Sequence, residues 1–181
     1  ANLRGPKVVP GTYKVRMTVD GQSQEQSFQV LADPRYESSQ EDLEAQYNYL
    51  LAVRDKITET HQAIKLIRVY RTELDSLTTK PENLDQIKAE MQAIEETLYQ
   101  TQNRSGQDPL NFPIRLNNKL AHLTSVVGNG DYRPTDSSEE VRKELTEQID
   151  VQLARFRKLE REQISRVLNI DEMKTKLEKK K

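Results

Sequence analysis

From Ser38 to Lys80 the chain runs without a single glycine or proline. Apolar or amphipathic residues recur through it at threes and fours: Leu43, Tyr47, Leu50, Arg54, Ile57, His61, Ile64, Ile67, Tyr70, Leu74 and Leu77. A period of 3.6 held that long without a breaker specifies one helix of about 39 residues, roughly 58 Å at 1.5 Å per residue. Such a rod is far longer than the usual three turns of a globular domain, so its partners must also be long. Ser38 with Glu41, and less ideally Ser39 with Asp42, have the spacing of a capping box at its start.

Upstream the period is two. Tyr13, Val15, Met17 and Val19 alternate with Lys14, Arg16, Thr18 and Asp20, and Phe28 and Val30 alternate with Ser27 and Gln29. This is the pattern of an antiparallel hairpin with one apolar face. Its turn lies in Asp20-Gly21-Gln22-Ser23, either with Asp-Gly as the central pair or with Gly21 as the first central residue. Two strands do not hold together alone in water. The hairpin is therefore expected to end a larger β-domain or to pack on the helices, and only Lys7–Val9 could add a strand from within the chain. Asp33-Pro34 closes the strand region.

Downstream, Pro81 is placed to open a second helix with the stripe Leu84, Ile87, Met91, Ile94 and Leu98. A break over Asn103–Pro113 precedes a third helix with Leu116, Leu120, Leu123 and Val127, stopped by Gly128. A fourth helix, capped by Asp136, carries Val141, Leu145, Ile149, Leu153, Phe156, Leu159, Gln163 and Val167. From Asn169 the periodicity weakens through Ile170, Met173 and Leu177 into the terminal lysines, whose default reading is a frayed helix end. The second and third helices together span about what the first spans alone. The expected fold class is thus mainly α: an elongated antiparallel bundle of three rods with the middle one broken, or of four helices, preceded by a short β-hairpin. The expected division is 1–35 for the strands, 36–168 for the bundle and 169–181 for a lysine-rich tail.

Composition fits this. Only 34% of residues are hydrophobic and 31% are charged, which suits thin seams on long, charge-coated rods. A net charge of -1 with both signs scattered argues against nucleic acid as a partner. No segment approaches the roughly 18 apolar residues of a membrane span. With no cysteine there is no disulfide or thiolate chemistry. Ala1–Gly11 carries neither a methionine nor a signal-peptide core, so a processing boundary is expected there.

Chemistry-bearing residues are few. His61 and His122 are read as histidines at the edge of the core, His61 hydrogen-bonded across the bundle, rather than as metal ligands, and no metal or cofactor is expected. The carboxylates Glu95-Glu96, Glu139-Glu140, Glu160 and Glu162 are read as solvated faces, because a glycosidase pair needs a cleft and two unlike environments. No catalytic residue is assigned. Arg54 breaks an otherwise apolar seam, as an anion or partner site, or as a structural arginine in a salt bridge or stacked on Tyr47 or Tyr49. Tyr132 and Arg133, in the loop Asp131-Tyr132-Arg133-Pro134, are candidates for contact with another domain.

An ordered set of markers carries a family resemblance. Val9-Pro10-Gly11-Thr12-Tyr13, Val15, Val19-Asp20-Gly21, Gln26, Phe28, Val30 and Asp33-Pro34-Arg35 resemble the end of the small immunoglobulin-like domain that follows the propeller in bacterial BNR (Asp-box) repeat, sortilin-like β-propeller proteins. Ser39 with Asp42-Leu43, Gln46, Arg54-Asp55-Lys56, Ile114 to Leu120 and Gly130 to Thr135 are similar to markers of the helical region that follows. The resemblance reaches to about Phe156. It implies a C-terminal, non-catalytic structural or interaction module of an exported, periplasmic or secreted, glycosyl hydrolase-like protein. Its partner would be its own upstream propeller domain or another protein. The alternatives are a part of an active glycoside hydrolase whose loop residues line the cleft, or a coiled-coil scaffold.

Overall fold

The computed structural model describes residues 5–178. It is mainly helical, with one two-stranded antiparallel sheet among the described residues. Strands β1 (Gly11–Val19) and β2 (Gln22–Val30) pair in the register Tyr13 with Phe28, Val15 with Gln26, and Met17 with Gln24. Asp20 (φ 49°) and Gly21 (φ 79°) both take the left-handed conformation of a type I′ turn. That selects the first of the two turn chemistries and leaves all the apolar side chains of the hairpin on one face. Residues Lys7–Val9 form no strand.

Helix α1 (Gln40–Ser76) has 37 residues. Its cap is Ser39, whose hydroxyl accepts from the Asp42 amide while the Asp42 carboxylate accepts from the Ser39 amide at 3.0 Å. The less ideal of the two capping boxes is the one used, because the hydroxyl of Ser38 is engaged elsewhere, donating to the Asp131 carbonyl. Helix α2 (Leu84–Leu98) begins three residues after Pro81, which sits in a preceding turn, and its whole predicted stripe is buried. Helix α3 (Leu116–Val127) buries Leu116, Leu120, Leu123 and Val127. Gly128 ends it with φ -81°, and the left-handed residue is Gly130 at φ 101°. Helix α4 (Asp136–Glu162) is capped one residue earlier than predicted, by Thr135, whose hydroxyl accepts from the Ser138 amide.

Hydrogen bonds between helices fix the packing. Descending α2, Lys88 reaches Asp75 of α1, and Glu95 reaches Arg71 and Arg68. Descending α3, Asn117 meets His61, and the Val127 carbonyl accepts from Gln46. Helices α2 and α3 therefore lie end to end along α1, antiparallel to it. Helix α4 returns parallel to α1: Tyr49 bonds the Ser138 carbonyl, Lys56 pairs with Asp150, Arg157 with Glu59, and Tyr70 with Glu160. This is the three-rod arrangement with a broken middle rod. The break does not reverse the chain, because buried Gln100 ties it down, donating to the Pro113 carbonyl and accepting from the Gln102 amide. Asp108 then holds the turn by accepting from the Ser105 amide and hydroxyl.

The core runs down the axis as a thin apolar column, in which Val53, Ile67, Leu74, Met91, Ile94, Leu120 and Ile149 are fully enclosed. On α1 the buried line is Gln46, Tyr49, Leu50, Val53, Thr60, Ala63, Ile64, Ile67, Tyr70 and Leu74. In its first half this differs from the predicted stripe: Arg54 and His61 face outward, and Val53 and Thr60 occupy the seam. Val141 of α4 is likewise exposed. Residues expected in a fraying tail form α5 (Ile170–Glu178), which buries Met173 and ties back through Lys174 to Glu160. The terminal lysines 179–181 lie outside the described residues.

Candidate interaction surface

The hairpin stands clear of the helices beyond its base. On its apolar face Val15 is 53% exposed, Met17 60%, Val19 56% and Phe28 47%. Packing on the bundle, one of the two expected ways to cover this face, does not occur. Within the hairpin the face is closed only by Tyr13 and Phe28, whose ring centroids lie 6.1 Å apart. The opposite face is polar, with Arg16 paired to Glu25 and Thr18 bonded to Ser23 across the strands.

Although the face is uncovered, its base is held. The linker after β2 and the loop after α3 form a clamp. Tyr36 and Tyr132 meet edge to face at 5.4 Å, and Lys7 pairs with Asp131 at 2.9 Å. Gln40 donates to the Pro10 carbonyl, and buried Gln46 donates to the carbonyls of Val127 and Gly130. Arg133 pairs with Asp42 at 2.7 Å and Glu41 at 2.5 Å. Gly130 is needed here twice over. It takes a left-handed φ, and a β-carbon on it would lie 2.3 Å from the Tyr132 ring. The Arg133 guanidinium, followed by the Ser39 cap, holds the Asp42 carboxyl down to about 2, and Arg35 holds that of Asp33 down to about 2. A cleft of 660 Å³ lies at this junction, with Val9, Val30, Leu31, Leu43, Lys7 and Asp131 among its walls.

The three residues singled out in the sequence fall in two places. Tyr132 and Arg133 sit together in the clamp, directed at this chain's own Tyr36, Glu41 and Asp42. Arg54 lies about 18 Å farther along α1 than Asp42, exposed and paired with its neighbour Asp55. It stacks on neither Tyr47 nor Tyr49; the guanidinium over Tyr49 belongs to Arg142, at 5.4 Å. Two of the carboxylates read as solvated are not. Glu95 is 3% exposed, between Arg68 and Arg71. Glu160 accepts from the Tyr70 hydroxyl at 2.6 Å and pairs with Lys174. His61 keeps its expected bond across the bundle, its Nε2 3.3 Å from the Asn117 amide nitrogen, although the residue itself is exposed. Partial desolvation of its ring, with Lys65 and Arg68 nearby, lowers its pKa.

Among the described residues no three histidine, aspartate or glutamate side chains converge on a point where a metal could sit, and no helix is long and apolar enough to cross a membrane. What the geometry offers is a surface: an apolar, two-edged strip of sheet carried on a stiff rod. No family model, curated protein or solved structure matches the chain.

Proposed function

We propose that this chain is the C-terminal structural and interaction module of an exported BNR-repeat, sortilin-like β-propeller protein of the glycosyl hydrolase-like class. In this reading β1 and β2 are the last strands of an immunoglobulin-like β-domain, and the bundle braces the domains before it. The module itself is non-catalytic, and its place is the periplasm or the outside of the cell.

One observation carries the reading: an alternating apolar face, about half exposed at Val15, Met17, Val19 and Phe28, rises from a base clamped to the bundle. A hairpin meant to remain solvated would not carry Val, Met and Phe on one face. Covered by the remainder of a β-domain, those side chains become core, and the clamp transmits the position of that domain to the rods. That Tyr132 and Arg133 are engaged within this chain favours this over a role for them in lining a hydrolase cleft.

The test is hydroxyl-radical footprinting of Met17 and Phe28 in the protein of residues 1–181 and in one extended upstream as its gene encodes. Covering is expected to lower their reactivity about tenfold in the longer protein. Equal reactivity in both overturns the reading.

A further inference from the structure

We propose that Asn129-Gly130 is a site of self-catalysed deamidation, and that its isoaspartyl product releases the clamp at the base of the hairpin. Water is the co-reactant. The proposal stands on the loop after α3 and is independent of what covers the apolar face of the hairpin.

The reaction needs an asparagine side chain free to turn onto the next main-chain nitrogen, and a next residue with no β-carbon to block the approach. No other asparagine of the chain precedes a glycine. After Asn83, Asn111 and Asn118 the following amide is also held, donating to the carbonyls of Pro81, Asp108 and Arg115 respectively. Asn129 differs. It is exposed, and among the described residues neither its side chain nor the Gly130 amide makes a hydrogen bond. The loop is pinned through its carbonyls instead. Gln46 donates to those of Val127 at 2.7 Å and Gly130 at 2.9 Å, and the Ser38 hydroxyl donates to that of Asp131. The attacking nitrogen is thus unbonded while the backbone on either side of it is held.

In the reaction the Gly130 nitrogen gives up its proton and attacks Cγ of Asn129. The N–Cγ bond forms, the Cγ–Nδ2 bond breaks, and ammonia leaves with that proton, so that a cyclic imide remains. Water then opens the ring. Cleavage at Cγ gives aspartate and restores the chain, whereas cleavage at the main-chain carbonyl gives isoaspartate, in which the chain runs through Cβ and Cγ. The isoaspartyl chain is longer by one bond, about 1.5 Å. Gln46 has a single amide nitrogen for the two carbonyls that flank this bond, those of Val127 and Gly130, so the lengthened segment no longer presents both to it. Loss of that staple frees Asp131 and Tyr132, which hold Lys7 and Tyr36 of the strand region.

The test ages the protein of residues 1–181 at neutral pH and physiological temperature, folded and in urea, and maps it by peptide mass spectrometry. In the folded protein the peptide containing Asn129 is expected to gain about 1 Da, about tenfold faster than any other asparagine peptide. It should also accept a methyl group from S-adenosylmethionine through an isoaspartyl methyltransferase. Asn129→Gln, whose longer side chain closes the ring poorly, should abolish both signals. A folded rate more than about 100-fold below the rate in urea means that the fold protects the site, and overturns the proposal. A gain no faster than at the other asparagines overturns it too. In the isoaspartyl form, separated by chromatography, the Gln46 side-chain amide should exchange with deuterium about tenfold faster by NMR. Asn129→Asp adds the charge without the extra bond and should leave that exchange slow. Gln46 still protected in the isoaspartyl form, or freed equally by Asn129→Asp, overturns the release.

Discussion

Glu95 shows how a single charge can be structural in a chain that is nearly one-third charged. Its carboxylate is enclosed, and two guanidiniums from successive turns of α1 satisfy both oxygens at 2.7 and 3.0 Å. Arg68 also lies over the Tyr99 ring, 5.1 Å from its centroid, so one cluster joins α1 to the end of α2. Because the arginines are partly exposed they can rehydrate when the glutamate is removed. Glu95→Ala is therefore expected to cost about 1.5 to 3 kcal/mol, the range for bonds to charged groups. Arg16→Ala, at an exposed pair, should cost under about 1 kcal/mol. Urea denaturation of the two variants decides between them. His61 gives a pH-dependent counterpart. Its folded pKa lies below the ordinary 6.5, so the unfolded chain binds more protons, and stability falls as pH drops below about 6.5. His61→Gln should remove this part of the slope in denaturation curves taken between about pH 7 and 5.

At the scale of elements, the hairpin and α1 are each set by local chemistry at their ends. Gly21 occupies a left-handed position that a β-carbon strains by roughly 1 to 2 kcal/mol. Gly21→Ala should therefore open the hairpin, seen as faster exchange at the inward amides of Val15 and Met17, while the melting of the helices is unchanged. The cap of α1 is doubly used, since Asp42 serves both Ser39 and Arg133. Its carboxyl is held below the ordinary 3.8, so this contribution is complete above about pH 3.8 and is lost as pH falls through about 2. Asp42→Asn should leave a weaker clamp at neutral pH and a flatter acid transition, followed by the exchange rates of the Ser38 and Ser39 amides. The α2 and α3 stripes were readable because Leu, Ile and Met at threes and fours have no rival face. On α1 the first half was not, because Tyr47 and Tyr49, and Val53 and Arg54, offer two seams within one turn of each other.

For the molecule as a whole, the division of labour is uneven. The column of enclosed aliphatics lies wholly in the helices, and among the described residues the strand region meets them through contacts at its base, such as Lys7 with Asp131 and Gln40 with the Pro10 carbonyl. A protein lacking residues 5–31 should consequently unfold in one cooperative helical transition, within about 1 kcal/mol of the intact chain, the scale of the exposed contacts removed. Calorimetry checks this, and a loss of several kcal/mol would mean that the hairpin is part of the bundle's core. The sequence by itself determined the hairpin and the first four helices, confined the hairpin turn to Asp20–Ser23, set the polar and apolar sides of β1, and narrowed the packing to three rods with a broken middle one or to four helices. These follow from period, breakers and caps, which act over a few residues. Tertiary structure alone decided which of two seams α1 buries, that Glu95 is enclosed, that Tyr132 and Arg133 turn inward on the clamp, and that the hairpin's apolar face is left open. Each depends on what another helix presents at that point, and burial, unlike periodicity, is a property of the pair and not of the strand or helix that carries it.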